Sequence, residues 1–406
     1  MSHRVNIGLV GLSGYANEIR KLLLSEGNHA EGRTRLAAVF APDPELHAET
    51  IDDLRAQGVS LTSSFDELLD ADIEALWLPV PIDLHRPMTE RALAAGNAVM
   101  LEKPVAGCID DHDAIARAAD AAGLPVAVGF QDIYRPSTLA LKRRLLAGEF
   151  GTPESAVVWG LWPRDDAYYA RSTWAGRLRR DDTWVLDSPI ANAMAHYVNL
   201  ALFLLGPSDC DAAPIASLSG ETLRGRPTIE NADTFSVRVH TRGQGSADLV
   251  VLLTHATAGF QHPSVSIRTD RGVIDVAFDG VTTFTPTGGA AEPLFDEQPH
   301  RPHMARRFAR LVRGEEDRDI ALATLASSRP HSVLICAIAE SLPITPIDAH
   351  QAEPGGAFVI PSLDAAIERA AREHKTLGEL GDTGLAVQAA SSKDLAGYAH
   401  FAGPHA

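Results

Sequence analysis

The stretch Val99-Met100-Leu101-Glu102-Lys103-Pro104 decides the fold that this sequence predicts. The apolar run 98–101 is typical of a short buried strand, and a carboxylate, an amine and a proline follow it. Pro104 cannot donate to a sheet ladder and disfavours helical angles at Lys103, so the strand stops there. Ligands of open α/β sheets bind outside the carboxyl ends of the strands, where an amine can donate to a hydroxyl or move a proton. The alternative is a surface lysine paired with Glu102 before a turn.

A glycine-rich turn follows the first predicted strand, residues 5–11. The segment Gly11-Leu12-Ser13-Gly14-Tyr15-Ala16 leads into a helix through residue 24. Strand, glycine turn and helix form the pattern of a dinucleotide site, where backbone N–H groups approach a pyrophosphate. The full fingerprint has a second glycine where Ser13 stands. A tight turn without a ligand is the alternative, but the position directly after the first strand favours the dinucleotide site.

The end of the second predicted strand, residues 36–40, bears on cofactor choice. An acidic residue is expected there to hold the ribose hydroxyls of the adenosine, but Ala41 stands in its place. Asp43 is either a substitute or a turn residue between two prolines. No Arg or Lys follows to meet a 2′-phosphate, so both NAD and NADP stay open, with NAD favoured.

Strand and helix signals then alternate, which predicts a doubly wound parallel sheet covered on both faces. The alternating segments are a strand at 73–78, a helix beginning near His85, the strand 98–101, a helix at 110–122 and a strand at 125–130. Pro79, Pro81 and His85 follow the strand 73–78, where the nicotinamide half of a cofactor would pass. His85 as an ordinary residue at a helix start is the alternative.

After Gln131 the pattern changes to a helix at 136–147 and long alternating strands, which predict a mostly antiparallel sheet with one wet face. These strands are residues 156–162, 235–240, 247–254, 265–268 and 273–278. The sequence thus predicts a Rossmann domain over 1–130, an α/β substrate and oligomerisation domain over 131–348, and an extension over 349–406. The extension is expected to hold one helix, 363–374, and a loose tail from residue 389.

A second informative stretch begins after Trp184. Ser188 as N-cap and Pro189 predict the start of a helix that ends at Gly206. Its polar residues Asn192, His196 and Asn199 are spaced i, i+4 and i+7, so they share one stripe. The stripe indicates either a histidine aimed at a cleft or a core histidine bonded to a neighbouring amide. We interpret Asp187, just before the helix, as a capping or turn carboxylate.

The loop 162–177 combines aromatic rings with guanidinium groups, which suit a polyhydroxylated or carboxylated ligand. A loop that packs its own aromatics, or a subunit contact, explains the composition equally well. The candidate binding residues in it are Trp162, Arg164, Tyr168 and Trp174.

Composition excludes several classes of protein. The 406 residues carry a formal net charge of -17 and no compensating basic stripe, which argues against nucleic acid or an anionic membrane as partners. Three widely spaced cysteines argue against a disulfide framework and fit a reducing cytoplasm. We expect no signal peptide and no membrane span, because no apolar run is long enough. No metal site is predicted.

Over residues 4–345 the chain resembles the glucose–fructose oxidoreductase, inositol dehydrogenase and MocA (Gfo/Idh/MocA) family. The resemblance rests on the glycine turn and on four further segments. These are Pro81-Ile82-Asp83-Leu84-His85, Glu102-Lys103-Pro104, Val128-Gly129-Phe130-Gln131, and a helix ending Leu204-Leu205-Gly206. It implies a Rossmann domain followed by an α/β domain with a large open sheet that often forms the subunit interface. A homodimer or homotetramer through that sheet is therefore expected.

The resemblance also implies chemistry, namely NAD- or NADP-dependent oxidation or reduction of a sugar, inositol or related polyol. In the family a lysine of Glu-Lys-Pro and an Asp-x-x-x-His serve proton transfer, which carries over to Lys103 and His196. Asn192 stands where the aspartate belongs, and an amide cannot take a proton. Either the lysine and histidine suffice, or the reaction is atypical.

The predicted site therefore has three overlapping sets. The catalytic set is Lys103, His196 and Asn192. The cofactor set is Gly11, Leu12, Ser13, Gly14, Tyr15, Ala16, Ala41, Pro79, Pro81, His85, Glu102, Lys103 and Gln131. The substrate set is Lys103, Tyr134, Trp162, Arg164, Tyr168, Trp174, Asn192 and His196. The rival functions are a family enzyme that retains its cofactor during elimination or glycoside cleavage, and a non-catalytic ligand sensor on the same fold.

Overall fold

The computed structural model describes residues 4–296, 300–315, 323–385, 390–392 and 394–405. Its residues fall into two compact units. Among the described residues, the first unit contains 4–106, 111–135, 300–315 and 323–326, and the second contains the remainder.

The first unit is built on a six-stranded sheet in the order β3-β2-β1-β4-β5-β6, in which all neighbouring strands run parallel. The strands are β1 (Val5–Val10), β2 (Thr34–Phe40), β3 (Ser60–Thr62), β4 (Ala75–Leu78), β5 (Ala98–Leu101) and β6 (Val126–Val128). The α-helices between them are Tyr15–Asn28, Ala48–Ala56, Phe65–Leu69, Ile82–Ala94 and Ile109–Ala122, with short 3₁₀ turns at Pro44–His47 and Gln131–Tyr134. β1, β4 and β5 are buried along their whole length, because helices cover both faces of a parallel sheet. This is the doubly wound fold that the sequence predicted.

The strand order reverses between β1 and β4, since the chain passes from β3 at one edge back to β4 beside β1. Such a switch point leaves a crevice at the carboxyl ends of the strands, where ligands of this fold class bind. The glycine turn follows β1 at this edge, and Lys103 follows β5 at the same edge. The fold therefore brings the two segments that the sequence singled out to one edge of one sheet.

A late segment of the chain returns to this unit, which the predicted boundary at residue 130 did not include. The helix Arg301–Val312 packs Phe308 edge-on against Trp77, with ring centroids 6.3 Å apart. Arg306 also donates two hydrogen bonds to the carboxylate of Glu26, at 2.9 and 3.0 Å. After this helix, the backbone of Ala323 accepts a hydrogen bond from the Val128 N–H at 2.7 Å. The first unit is therefore discontinuous in sequence.

The second unit contains a ten-stranded sheet whose main path is β16-β15-β14-β13-β7-β12-β11-β10-β17, with β20 paired to β10. All pairs are antiparallel except β7 with β12 and β10 with β17. The strands are β7 (Pro153–Leu161), β8 (Arg179–Arg180), β9 (Thr183–Trp184), β10 (Ile215–Arg224), β11 (Thr234–Thr241), β12 (Asp248–Thr254), β13 (Gln261–Thr269), β14 (Gly272–Val276), β15 (Thr282–Pro286), β16 (Glu292–Phe295), β17 (Ile344–Pro346), β18 (His350–Gln351), β19 (Phe358–Val359) and β20 (Ala390–Ser391). β8 with β9 and β18 with β19 form separate two-stranded pairs.

Helices cover both faces of the central strands of this sheet. On one face, Val158, Val251 and Val237 pack in the core that contains the helices Pro136–Leu146, Ala195–Leu205 and Leu325–Ser341. On the other face, Val157 and Val250 pack with residues of the helix Leu363–Glu373. The expectation of one wet face is therefore wrong for the centre of the sheet. It holds towards β14, where Asp275 is exposed.

The carboxyl-terminal part of the chain is firmly attached to the sheet. The short helix Leu377–Leu380 begins with a capping box, and its Glu379 carboxylate accepts a 2.7 Å hydrogen bond from the Arg238 guanidinium. Residue 389, where a loose tail was expected to begin, lies outside the described residues. Of the tail after it, β20 pairs with β10, and the buried Phe401 packs against Trp184 with ring centroids 5.1 Å apart. For these residues the expected loose tail is wrong, because two apolar side chains, Leu395 and Phe401, anchor it.

Candidate functional site

The glycine turn in the first unit has the backbone geometry that a dinucleotide site requires. Gly11 and Gly14 have φ angles of 87° and 54°, which favour glycine. A Cβ on Gly11 would lie 3.4 Å from the Ala16 Cβ, whereas a Cβ on Gly14 would meet nothing within 4 Å. Gly14 is also the N-cap of the helix Tyr15–Asn28 and has no side chain to cap it. The start of the helix thus faces open space, which fits the pyrophosphate of a dinucleotide.

One contact at this turn was not predicted. The hydroxyl of Ser13 and Nε2 of His47 lie 2.9 Å apart. His47 ends the short helix Pro44–His47 that follows β2, and buried Ala41 occupies the position where an acidic residue was expected. Nothing in the spacing of the sequence marks His47 as a neighbour of the turn.

Glu102 is buried directly behind the strand end that presents Lys103. Its Oε1 accepts a 3.0 Å hydrogen bond from the indole N–H of Trp77. A Cβ on Gly129 would lie 2.5 Å from the Glu102 carboxylate, so this position requires glycine. Burial raises the pKa of Glu102 to about 7, against the opposing effects of the Trp77 hydrogen bond and the positive charge of Lys103. Lys103 itself is half-buried at the carboxyl end of β5, and its peptide bond to Pro104 is cis.

His85 shapes the loops around this strand end. It is 1% exposed. Its Nδ1 lies 2.9 Å from the carbonyl oxygen of Pro104, and its Nε2 lies 3.0 Å from that of Val80. Both ring nitrogens thus face backbone oxygens, which favours a role in joining two loops over the predicted direct contact with a cofactor. Pro81 is the N-cap residue of the helix that carries His85, and Pro79 is half-buried after β4.

Tyr134, predicted to bind substrate, is instead a core residue. Its side chain is fully buried, and its hydroxyl donates a 2.8 Å hydrogen bond to the carbonyl of Val128. The prediction that Tyr134 binds substrate is therefore wrong, because its side chain lies inside the domain. The sequence alone could not separate the two roles, because a tyrosine serves equally as a core residue with one internal partner.

Arg301, from the returning helix, reaches two predicted cofactor residues. Its Nε donates to Oε1 of Gln131 at 3.4 Å, and its guanidinium carbon lies 5.4 Å from the ring centroid of Tyr15. Burial and the charge of Glu102 raise the pKa of Tyr15, while Arg301 opposes the shift. Sequence reasoning missed Arg301 because it lies 170 residues from Gln131 along the chain.

In the second unit the chain does not form the single helix that was predicted after Ser188. Ser188 caps the turn, accepting from the Ala191 N–H at 3.3 Å, as expected. Residues Pro189–Ala193 form a π-type turn, closed by the Met194 N–H bonding to Pro189, and the α-helix starts only at Ala195. Asn192 and His196, both half-buried, therefore lie on different segments and do not share one helical stripe.

Asp187 is the partner of Asn192. Its Oδ1 accepts a 2.8 Å hydrogen bond from the Asn192 amide, and its Oδ2 accepts a 2.7 Å hydrogen bond from the Gly176 N–H. Asp187 thus joins the Gly176 backbone to the Asn192 side chain, and the interpretation of Asp187 as a capping or turn carboxylate stays a prediction. The carboxylate fixes which way the amide points, so Asn192 presents its oxygen on the side away from Asp187.

The aromatic and guanidinium residues of the loop 162–177 come together around Tyr168. The guanidinium carbon of Arg164 lies 4.6 Å from the Tyr168 ring centroid, and that of Arg171 lies 3.7 Å from it. Arg164 also stacks on Trp162, and Arg171 lies 5.7 Å from the ring of Trp174. The four predicted binding residues thus share one cluster, which Arg171 joins.

A cleft of about 360 Å³ lies beside this loop, within the same unit. Tyr169, Ser172 and Arg226 are among the residues that line it. Arg226 is almost fully buried, is paired with Asp166, and stacks on Tyr169 at 4.6 Å. The volume is within the range of small-molecule sites.

Comparison with known proteins agrees with this description. Residues 5–130 match the model of the oxidoreductase family with an NAD-binding Rossmann fold, GFO_IDH_MocA. Two curated relatives are a dTDP-3,4-didehydro-2,6-dideoxy-alpha-D-glucose 3-reductase from Streptomyces violaceoruber and a scyllo-inositol 2-dehydrogenase (NAD(+)) from Bacillus subtilis. The first is 29% identical over 36% of this chain and 41% of its own length, and the second 27% identical over 38% and 43%. The chain thus matches less than half the length of either relative.

Among solved structures, the WlbA dehydrogenase from Bordetella pertussis in complex with NADH and UDP-GlcNAcA resembles the chain with a TM-score of 0.67. The match covers 82% of this chain and 95% of that one at 23% identity, so it shows the fold. The resemblance stated from the sequence is confirmed by the match of residues 5–130 to the GFO_IDH_MocA family model.

Within the described parts of the chain, none of the helices has both the length and the apolar composition of a membrane span. Over the same residues, no three His, Cys, Asp or Glu side chains are grouped so that they could hold a metal ion.

Proposed function

We propose that this protein is an NAD(P)-dependent oxidoreductase that transfers hydride between a nicotinamide cofactor and a hydroxyl/carbonyl pair of a sugar, inositol or similar polyol. The observation that carries the proposal is the edge of the parallel sheet in the first unit. There the glycine turn opens a helix after β1, and Lys103 ends β5. The names of the relatives, which are reductases and dehydrogenases of sugars and inositols, support the same reaction class.

The residues of the first unit fit the cofactor. Gly14 leaves open space at the helix start for a pyrophosphate, and Gly11 allows the helix to pack close to β1. We favour NAD over NADP, because the segment 41–47 contains Asp43 and Glu45 but no Arg or Lys to pair with a 2′-phosphate. The bound nicotinamide supplies the site that accepts or donates the hydride.

The chain's own residues would manage the proton of the substrate hydroxyl. We assign this role to the Lys103 amine, at the end of β5, and, from the family resemblance, to the His196 imidazole, at the start of its helix. Asn192 cannot take a proton, so its role is to orient the substrate through an amide that Asp187 holds in place. Glu102 lies beside Lys103, whose positive charge opposes the rise in the pKa of Glu102 that burial causes.

Assembly and location follow from the resemblance and the sheet. The resemblance implies a homodimer or homotetramer through the large sheet. The helix Leu363–Glu373 covers β7 and β12, so a subunit contact would use the side of β14, where Asp275 is exposed. None of the three cysteines, all within the described residues, forms a disulfide, which fits the proposed cytoplasmic location.

The test is turnover of free cofactor. The purified protein is incubated with NAD⁺ or NADP⁺ and a panel of aldoses, inositols and sugar acids, and reduced nicotinamide is followed by its absorbance. Stoichiometric formation of NADH with one substrate class supports the proposal. The replacement of the expected aspartate by Asn192 keeps a ligand sensor as the second candidate, and tight binding of dinucleotide and sugar without turnover would favour it.

A further inference from the structure

Two arginines in the second unit stand without a carboxylate partner. Among the residues that the structure describes, no carboxylate lies within ion-pair distance of the side chains of Arg164 and Arg171. The acids nearest in sequence are engaged elsewhere. Asp165 accepts the N–H of Tyr168, and Asp166 pairs with Arg226.

The chain carries a net charge of -17, and Arg177 in the same loop pairs with Glu230 at 2.7 Å. Arg164 and Arg171 instead share one aromatic ring, at 4.6 and 3.7 Å from the centroid of Tyr168. Two guanidinium groups on one ring repel each other, and an anion between or beside them would offset that repulsion.

His255, the residue that follows β12, also lies beside the ring of Tyr168. It is 3% exposed, and its ring centroid lies 5.7 Å from that of Tyr168. Its Nδ1 lies 2.7 Å from the carbonyl oxygen of Trp162, so Nδ1 carries the hydrogen and Nε2 is an acceptor. That Nε2 is buried and has no hydrogen-bond partner in the described part of the chain. Burial lowers the pKa of His255 to about 3, and the positive charges of Arg164 and Arg171 add to the shift.

Further polar groups in the loop also lack partners. The indole N–H of Trp162, Nε of Arg164 and the hydroxyl of Ser172 are buried with no hydrogen-bond partner among the described residues. Ser172 lines the adjoining cleft of about 360 Å³. Buried donors and acceptors left unpaired cost free energy, which a bound ligand would recover.

We propose that Arg164 and Arg171 bind an oxyanion carried by the polyhydroxylated substrate. The inference rests on the proposed function, since it assigns the substrate class of that enzyme: a sugar acid or a sugar phosphate, not a neutral sugar. Carboxylate and phosphate share the geometry that a guanidinium fork recognises.

The experiment is calorimetric binding to the full-length protein in the presence of NADH, with galacturonate, glucose 6-phosphate and glucose as probes. We expect one of the two anions to bind at least about tenfold more tightly than glucose, because a hydrogen bond to a charged group is worth roughly 1.5–3 kcal/mol. The anion that binds identifies carboxylate or phosphate as the recognised group. Arg164→Gln and Arg171→Gln should each lower its affinity about 10- to 100-fold and leave glucose unaffected.

Arg143→Gln is the control, because Arg143 lies in the same unit, is exposed and is paired with Asp209. Arg171 is exposed, so Arg171→Gln retains the core and carries the test if Arg164→Gln does not fold. Equal binding of glucose and both anions, binding of none of them, or equal effects of the Arg171 and Arg143 variants would overturn the inference. Selective anion binding without hydride transfer would contradict the proposed function alone.

Discussion

The side-chain amide of Asn192 donates a 2.8 Å hydrogen bond to the carboxylate of Asp187, five residues earlier in the chain. The position that the family resemblance assigns to an aspartate is thus occupied by an amide that already has a carboxylate neighbour. An aspartate at 192 would place two carboxylates in contact, one of them 2% exposed.

We therefore expect Asn192→Asp to destabilise the protein at neutral pH. Two carboxylates at hydrogen-bond distance cannot both ionise without cost, so the pKa of one rises and stability falls as pH increases through that value. The expected loss is about 1–3 kcal/mol, measured by chemical denaturation at pH 5 and pH 8. The double variant Asp187→Asn/Asn192→Asp should recover most of the loss, because it restores one amide and one carboxylate. A fully stable single variant at pH 8 would contradict the pairing.

Glu102 should make stability depend on pH. Its folded-state pKa, about 7, lies above the ordinary value of 4.5, so the folded protein retains a proton that the unfolded chain releases. Stability is therefore greatest below about pH 4.5 and falls as pH rises towards 7, by on the order of 3 kcal/mol. Glu102→Gln should flatten this part of the curve, since the amide oxygen can still accept from Trp77. Denaturation midpoints across this range check the prediction, with exposed Glu45→Gln as the control. An unchanged slope in Glu102→Gln would show that other groups cause it.

Tyr134→Phe should affect stability but not substrate binding. The hydroxyl makes one buried hydrogen bond to the Val128 carbonyl, so its removal is expected to cost about 1 kcal/mol. KM and kcat for any substrate found should stay within twofold of wild type, a roughly estimated margin for a group that does not touch the ligand. A large rise in KM would contradict this prediction and indicate that Tyr134 contacts the substrate.

Gly14→Ala should weaken dinucleotide binding more than it weakens folding. The added methyl group meets no protein atom within 4 Å, but it occupies the space that we assign to the pyrophosphate. The positive φ angle adds a folding cost of about 1 kcal/mol. We expect a loss in NADH affinity of at least about tenfold, or 1.4 kcal/mol, measured by fluorescence titration. Gly123→Ala, at a glycine of similar φ with equally open surroundings, is the control.

The first domain could be predicted from the sequence because its signals are local. The strands β4 and β5 are unbroken apolar runs, and β1 is apolar except at Asn6 and Gly8. Glycines and prolines follow these strands. β10 was missed because its sequence, rich in Ser, Gly and Glu, reads as a loop. In the fold its Glu221 is buried and accepts a hydrogen bond from Ser236 on β11, a partner that only the sheet supplies.

The site could be predicted only in part, for the same reason. Lys103 and the glycine turn could be predicted because each directly follows a strand that the sequence indicates. The contacts of Arg301, Asp187 and His255 are made with residues that are distant in sequence or that a turn brings close, so the sequence did not indicate them. The π-type turn at Pro189–Ala193 also has the same Ser-Pro start as an ordinary helix. Local signals therefore predicted where that segment begins, but they did not predict that a π-type turn precedes the α-helix.

The central claim is that Lys103 handles the hydroxyl proton of a substrate oxidised by a nicotinamide cofactor. A single positioned proton-transfer group is worth about 10²–10⁴-fold in rate. Lys103→Ala should therefore lower kcat by at least about a hundredfold while NADH affinity, which depends on the glycine turn, is retained. His196→Ala should act similarly, and the double variant should lose less than the product of the two effects if they act as a unit. Wild-type turnover by Lys103→Ala would contradict the account and leave Lys103 as the end of a strand.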